Sequence, residues 1–229
     1  MNTAVILAAG ISKRMKGVDK IFYRVKKKPL IFYTISVFEK HPQIGKIILV
    51  VQKNNFKKLH FLIKKYKFKK IAAIAEGGKE RQESAFNGLK AAGNFGAKPG
   101  DLILFHNGAN PLVLKEEIDE VMRAARKYKA ALVGQFTRDT VKKIGKNNFI
   151  ERTIDRKKVF LAQTPQVIEY RLAKKAFEKA IAEKFQGTDD VSLVERLGKK
   201  VRAVPSSSAN IKITYPEDLK FLESQLKRK

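Results

Sequence analysis

The chain has 229 residues, no cysteine, 44% hydrophobic residues and a formal net charge of +27 at pH 7. This length and apolar content predict one globular domain over residues 1–229, with a core of ordinary size. The lack of cysteine excludes disulfides, thiolate metal sites and a cysteine nucleophile. Because no secretory leader and no membrane-length apolar stretch are visible, we expect a cytoplasmic protein that does not associate with membranes.

Short apolar runs alternate with longer segments of helical periodicity through the first 135 residues. The predicted strands are Thr3–Leu7, Ile44–Val51, Lys70–Ala75, Leu102–Phe105 and Ala130–Gln135. The predicted helices are Leu30–Phe38, Phe56–Tyr66, Glu80–Ala92 and Lys115–Lys129. This order predicts an α/β fold, with a Rossmann-like, mainly parallel sheet and helices on both faces. Ligands of such sheets bind beyond the carboxyl ends of the strands.

The alternation of predicted strands and helices ends after residue 136. Thr140–Ile144 and Phe149–Ile154 flank a polar turn and predict a protruding β-hairpin arm at about 137–158. A hairpin alone buries little surface, so we expect it to pair with another subunit or to lie over the active site. The remaining predictions are helices at Glu169–Phe185 and Pro216–Leu226, a helix capped by Thr188 and ending at Leu197, and a strand at Val201–Val204.

Ala8-Ala9-Gly10 follows the first predicted strand directly, and Arg14 and Lys20 come soon after. Small residues let the backbone approach a ligand closely, and oriented N–H groups together with cations suit a triphosphate. The glycine spacing fits neither a Walker loop nor the dinucleotide fingerprint. An ordinary strand–loop with solvated lysines is the simpler alternative for this stretch alone.

A second glycine loop, Gly77-Gly78, follows the third predicted strand and opens a helix that carries Arg81 and Ser84. Glycines allow the backbone to approach a flat ring, whose edge amide groups can then recognise. Taken alone, this stretch is explained equally well by a plain glycine turn before a helix.

The motifs together resemble a known family. Leu7-Ala8-Ala9-Gly10-x-Ser12-x-Arg14-Met15 with Lys20 resembles the signature loop of nucleotidyltransferases, and its short Asp19-Lys20 ending is closest to the molybdopterin nucleotidyltransferases. The rest of the chain resembles the 2-C-methyl-D-erythritol 4-phosphate cytidylyltransferases instead. That resemblance is carried by Gly77–Ser84 and, in order, by Arg138–Lys142, Asp155-Arg156, Gln163–Gln166, Thr188–Glu195 and Asn210–Leu219.

The resemblance implies transfer of CMP from CTP to 2-C-methyl-D-erythritol 4-phosphate, with release of pyrophosphate and with Mg²⁺ as cofactor. We expect Arg14, Lys20 and Lys212 to be the catalytic cations, because charge builds up on phosphoryl oxygens in such a reaction. The resemblance further implies nucleotide binding by Ala8, Ala9, Gly10, Gly78 and Ser84, and acceptor binding near Thr140, Arg156, Thr164 and Thr188. It implies a structural or phosphate-side role for Arg81, and a homodimer formed by exchange of the arms.

One segment departs from the family pattern. Residues 105–111 read Phe-His-Asn-Gly-Ala-Asn-Pro, where the family usually has His-Asp-Ala-Ala-Arg-Pro. Asn107 and Asn110 therefore stand in the presumed substrate pocket without the charges of Asp and Arg, and the metal ligands stay unknown. Three alternatives remain open: another polyol phosphate such as ribitol 5-phosphate as acceptor, low activity, or a diverged copy that is non-catalytic or binds nucleic acid. We expect His106 to be structural.

The positive charge attracts polyanions of any kind. Basic clusters such as Lys26–Lys28, Lys64-Lys65 and Lys227–Lys229 are spread through the chain, and no zinc-finger spacing, RNA-binding aromatic motif or basic arm is visible. We therefore expect a solvated, lysine-rich surface and no specific nucleic-acid binding.

Overall fold

The computed structural model describes residues 1–11 and 19–227. Its main sheet contains β1 (Asn2–Leu7), β4 (Ile44–Val51), β5 (Ile71–Glu76), β6 (Leu102–Asn107), β7 (Ala130–Phe136), β10 (Phe160–Glu169) and β11 (Arg202–Pro205). Two small hairpins pair β2 (Arg24–Val25) with β3 (Lys28–Pro29) and β8 (Val141–Ile144) with β9 (Ile150–Ile154). The helices are α1 (Leu30–Lys40), α2 (Phe56–Tyr66), α3 (Arg81–Asn94), α4 (Lys115–Tyr128), α5 (Tyr170–Ala182), α6 (Ser192–Arg196) and α7 (Pro216–Lys227).

The strand order in the main sheet is β11-β7-β10-β6-β1-β4-β5. Strand β1 pairs in parallel with both β4 and β6, and β7 pairs in parallel with β11. Strand β10 is antiparallel to both of its neighbours, β6 and β7. The predicted α/β class, the mainly parallel sheet and the hairpin are therefore confirmed.

Strand β10 is the strand of the main sheet that the sequence pattern does not predict. It contains Pro165, and a proline within an apolar run normally argues against a strand because it donates no ladder hydrogen bond. The structure accommodates it where the pairing register between β10 and β7 shifts, between Ala162 and Gln166. The irregular pairing places Thr164 and its neighbours next to the end of β6.

The core lies on both faces of the sheet. Along β1, Ala4 and Ile6 pack in the cluster covered by α1, α2 and α4, whereas Val5 and Leu7 pack in the cluster covered by α3 and α5. Successive strand residues point to opposite faces, so a strand covered on both sides is apolar throughout. This explains why the central strands read as continuous apolar runs.

Backbone hydrogen bonds tie together the loops at the carboxyl ends of the central strands. The amide of Ala8 donates to Val50 O at 2.7 Å, that of Gly77 donates to Val51 O at 2.9 Å, and that of Gly108 donates to Leu7 O at 2.7 Å. The loops that follow β1, β5 and β6 are thus fixed to the strands beside them.

Two local predictions near the C-terminus differ from the structure. Helix α5 ends at Ala182, three residues before the predicted end, and α6 begins only at Ser192. The predicted cap at Thr188 is wrong, since the Asp189 carboxylate accepts the hydrogen bond from Ser192 N at 2.9 Å instead. Asp is as effective as Thr at accepting backbone N–H groups near a helix start.

Candidate functional site

A cavity of about 770 Å³ opens at the carboxyl ends of the central strands. Its described lining includes eight of the residues predicted for the site: Ala8, Ala9, Gly10, Lys20, Gly78, Ser84, Asn107 and Lys212. These residues come from four separate stretches of sequence. Arg14 lies outside the described residues.

Close packing joins the two glycine-containing loops. Gln52 donates from Nε2 to Ala9 O at 3.1 Å, which fixes the first loop against the end of β4. A Cβ added at Gly77 would fall closer to Ala9 Cβ than real Cβ atoms ever approach. Gly77 therefore allows the two loops to touch and brings Gly78 beside Ala9-Gly10.

The Gly78 loop is braced by the start of α3. Gly78 N donates to Ser84 Oγ at 3.0 Å, and Ser84 Oγ donates to Glu80 O at 3.1 Å. Lys79 N donates to Glu83 Oε2 at 2.7 Å. The Gly78 amide and the Ser84 hydroxyl thus hold the loop together, which adds a structural task to the base-recognition role predicted for them.

Arg81 is held by a buried carboxylate. Its Nη1 and Nη2 donate to Asp190 Oδ1 and Oδ2 at 2.9 and 2.6 Å, and Asp190 is 1% exposed. Burial raises the pKa of the Asp190 carboxyl, and the Arg81 guanidinium opposes that rise. Beside this pair, Gly187 N donates to Gln82 Oε1 at 2.8 Å. The start of α3 is thereby fixed to the loop between α5 and α6.

Lys20 and Lys212 meet at the cavity although 191 residues separate them. Lys20 Nζ donates to Ile213 O at 3.1 Å, and Ile213 N donates to Ala109 O at 2.8 Å. Both lysines line the cavity. Two cations are thus placed at one wall, where anionic phosphates bind favourably.

A chain of side-chain amides lies behind Asn107. Asn107 Nδ2 donates to Asn110 Oδ1 at 3.3 Å, Asn110 Nδ2 to Asn210 Oδ1 at 3.4 Å, and Asn210 Nδ2 to Thr164 O at 3.0 Å. Asn107 N donates to Thr164 Oγ1 at 3.3 Å. Only Asn107 of these four is part of the cavity lining, since Asn110, Asn210 and Thr164 are buried. Asn110 and Thr164 therefore support the wall of the described cavity from behind.

His106 is completely buried at the end of β6. Burial lowers its pKa to about 4, and the neutral ring donates from Nε2 to Asn110 O at 2.9 Å. A neutral, enclosed imidazole that holds a backbone carbonyl has the structural role that the sequence predicted.

Three predicted acceptor residues lie away from the described cavity lining. Thr140 and Arg156 are exposed on the arm, where Arg156 Nη1 donates to Arg138 O at 2.9 Å. Thr188 is exposed in the loop before α6. Their contact with an acceptor stays a prediction.

The sequence analysis missed several lining residues, among them Gln52, Lys53 and Thr214. The available signal was position: Gln52 and Lys53 directly follow β4, a central parallel strand whose carboxyl end faces the site. Within the described ranges, no three His, Asp or Glu side chains are grouped so as to hold a metal ion. No described helix has the length and apolar character needed to cross a membrane.

Comparison with known protein families matches residues 2–228 to the family described as 2-C-methyl-D-erythritol 4-phosphate cytidylyltransferase. The chain belongs to this cytidylyltransferase family. It is 42% identical over 225 residues to the family enzyme of Dehalococcoides mccartyi, covering 98% of this chain and 96% of that protein. It is also 42% identical over 228 residues to the one of Caldanaerobacter subterraneus, covering 99% of each.

Solved structures agree with this membership. The crystal structure of 4-diphosphocytidyl-2C-methyl-D-erythritol synthase from Anaerococcus prevotii superposes with a TM-score of 0.85 at 31% identity, covering 99% of this chain and 96% of that one. The enzyme of Francisella tularensis superposes with a TM-score of 0.81 at 28% identity, covering 98% of this chain and 100% of that one. The cytidylyltransferase fold therefore extends over essentially the whole chain.

Proposed function

We propose that this cytidylyltransferase transfers CMP from CTP to 2-C-methyl-D-erythritol 4-phosphate, giving 4-diphosphocytidyl-2-C-methyl-D-erythritol and pyrophosphate. The observation that carries the proposal is the match of residues 2–228 to this family. The cavity supports it, because small-residue loops and four lysines, Lys20 and Lys212 among them, line one concave site at the carboxyl ends of the strands.

In the proposed reaction, a phosphate oxygen of the acceptor attacks the α-phosphorus of CTP. The new P–O bond forms as the bond between the α-phosphorus and the bridging oxygen of the β-phosphate breaks, and pyrophosphate leaves with that oxygen. No protein nucleophile is required, because the attacking phosphate is already anionic. The barrier arises from repulsion between anions and from charge on the α-phosphoryl oxygens, so positioned cations lower it.

Lys20 and Lys212 are the described cations best placed for this task. Lys20 is partly buried and is oriented through Ile213 O, so its ammonium group is positioned before substrate binds. A preorganised charge needs little reorganisation when the transition state forms. We assign Arg14 the same role from the sequence pattern.

Mg²⁺ is compatible with the residues at this wall of the cavity. In nucleotide enzymes the ion is bound mainly by substrate phosphates and water, with one or two protein oxygens. Asn107, whose Nδ2 already donates to Asn110, has its Oδ1 to offer to such an ion. When bound, the ion supplies further neutralisation of the triphosphate charge.

We propose that the arm joins two copies of the chain. The β8–β9 hairpin exposes large apolar side chains, with Phe149 74%, Ile150 63% and Ile144 59% exposed. Exposed apolar groups clustered on one projection are typical of an association surface. Thr140 and Arg156 would then act at the site of the second copy.

Pyrophosphate release from CTP tests the reaction. Release with 2-C-methyl-D-erythritol 4-phosphate, but not with ribitol 5-phosphate, supports the proposal, whereas release with ribitol 5-phosphate alone favours the other polyol. Lys20→Ala and Lys212→Ala should each lower turnover by about two orders of magnitude. Lys199→Ala, an exposed lysine outside the cavity lining, should not. Wild-type turnover in both cavity variants would remove these lysines from the mechanism.

A further inference from the structure

The positive charge is less evenly distributed than the sequence analysis expected. Residues 20–75 contain 15 lysines and arginines but one acidic residue, Glu39. This quarter of the chain therefore carries 14 of the 27 net positive charges. The Glu39 carboxylate accepts hydrogen bonds from the backbone amides of Lys69 and Lys70, at 2.7 and 3.1 Å. The segment thus has almost no acidic side chains that could neutralise its basic ones.

A second groove, of about 420 Å³, lies within this segment. One side is formed by α2 and the other by residues 22–29. Its apolar lining includes the rings of Phe22, Phe61 and Tyr66, and Phe61 is 68% exposed. Four cations line it as well: Arg24, Lys57, Lys58 and Lys65. No carboxylate contributes to its described lining.

The cations lie close to the rings. Lys58 Nζ is 5.3 Å from the centroid of Phe22, and Lys65 Nζ is 5.7 and 5.9 Å from those of Tyr66 and Phe61. Attraction between an ammonium group and a ring face is modest at an exposed site. Each ammonium group therefore keeps most of its capacity to bind an anion, and an anion bound there would lie beside a ring.

We propose that this groove binds a single nucleic-acid strand without sequence preference. Phosphates would contact the lysines and Arg24, and bases would stack on the rings of Phe61, Tyr66 and Phe22. A nucleotide strand alternates flat bases with negatively charged phosphates. Proteins bind such strands by stacking the bases on aromatic side chains and placing cations beside the phosphates. Lys57 and Lys65 are eight residues apart on α2, roughly 12 Å along the helix axis, so their reach covers more than one phosphate.

Other occupants match the groove less well. Inorganic polyphosphate would use the cations and leave the rings exposed. A duplex presents its phosphates but keeps its bases stacked inside. An acidic peptide has charges without a flat ring at each repeat. A lipid surface is convex or flat on this scale, whereas the rings lie in a concave groove.

Fluorescence anisotropy with a labelled 12-nucleotide uridine oligomer tests the proposal. Phe61→Leu keeps an apolar side chain but removes the ring, and it should weaken binding about tenfold, whereas Phe61→Tyr keeps the ring and should bind like the native chain. Lys58→Glu with Lys65→Glu should weaken binding more than tenfold. Lys199→Glu with Lys200→Glu makes the same charge change on an exposed loop and should alter binding less than twofold.

Pyrophosphate release provides the folding control, because Phe61 is outside the catalytic cavity lining and its variants should retain full activity. Unchanged oligomer binding by Phe61→Leu, or equal losses from the two lysine pairs, would show general attraction of polyanions and would overturn the proposal. Equal affinity for a 12-base-pair duplex, or displacement by an equal concentration of polyglutamate, would overturn it too. Displacement of the oligomer by saturating CTP would place the strand in the catalytic cavity and also refute it.

Discussion

Gly77→Ala should disturb the contact between the two loops that line the catalytic cavity. A Cβ at this position would lie under 3.0 Å from Ala9 Cβ, whereas ordinary contact begins at 3.4 Å. The partner is the short, rigid side chain of Ala9, which cannot rotate away. The two loops must therefore move apart by about 1 Å, and a displacement of this size in a positioning element costs about 10²-fold in rate.

The same substitution should lower stability. Adding a methyl group to a packed contact typically costs about 1–3 kcal/mol, which corresponds to a melting temperature lower by about 2–4 °C per kcal/mol in a chain of this size. The φ angle of Gly77 is not in the left-handed region, so the effect comes from the added methyl group alone. Urea unfolding and the kcat/KM for CTP, obtained from pyrophosphate release, measure the two consequences separately.

Gly10→Ala is the matched control for stability. A Cβ added at Gly10 meets no atom of the described residues within 4 Å, so the free energy of unfolding of Gly10→Ala should stay within about 0.5 kcal/mol of the native value. If Gly77→Ala had the native free energy of unfolding and the native kcat/KM for CTP, the close contact between the two loops would not matter for function, and the prediction would be refuted.

Three further predictions concern buried or lining polar groups. Asp190→Asn leaves the Arg81 guanidinium without its counter-charge and should lower the free energy of unfolding by about 3 kcal/mol; a loss below 1 kcal/mol in urea unfolding would contradict this. The pKa of His106 is about 4 in the fold and ordinary in the unfolded chain, so between these values the unfolded chain binds the extra proton. Stability should fall by up to about 3 kcal/mol as pH drops from 6.5 towards 4, and urea titrations of His106→Gln should show that slope reduced. Asn107→Asp adds a carboxylate at the cavity and should lower the Mg²⁺ concentration that gives half-maximal rate several-fold; an unchanged value would show that the ion does not contact this position.

Local sequence patterns were sufficient to predict most of the strands and helices. Residues 47–51 of β4 and 130–133 of β7 are apolar without interruption, because both faces of the covered sheet are buried there. Pro29 directly precedes α1, where its fixed φ and missing N–H do no harm. The loops at Gly10 and Gly77-Gly78 were recognisable because they directly follow predicted strands. All of these signals are short-range properties of the chain.

The tertiary structure alone decided how distant segments meet. Strand β10 joins the sheet between β6 and β7 despite Pro165, because its two neighbours supply pairing that no local propensity reveals. Lys20 donates a hydrogen bond to Ile213 O, and Arg81 forms an ion pair with Asp190. In both pairs more than 100 residues separate the partners, so their spacing in the sequence does not indicate the contact. Such contacts depend on the packing of the whole chain. The sequence by itself therefore determined most of the secondary structure and the family, whereas the folded chain determined the place of β10 and which side chains share the cavity.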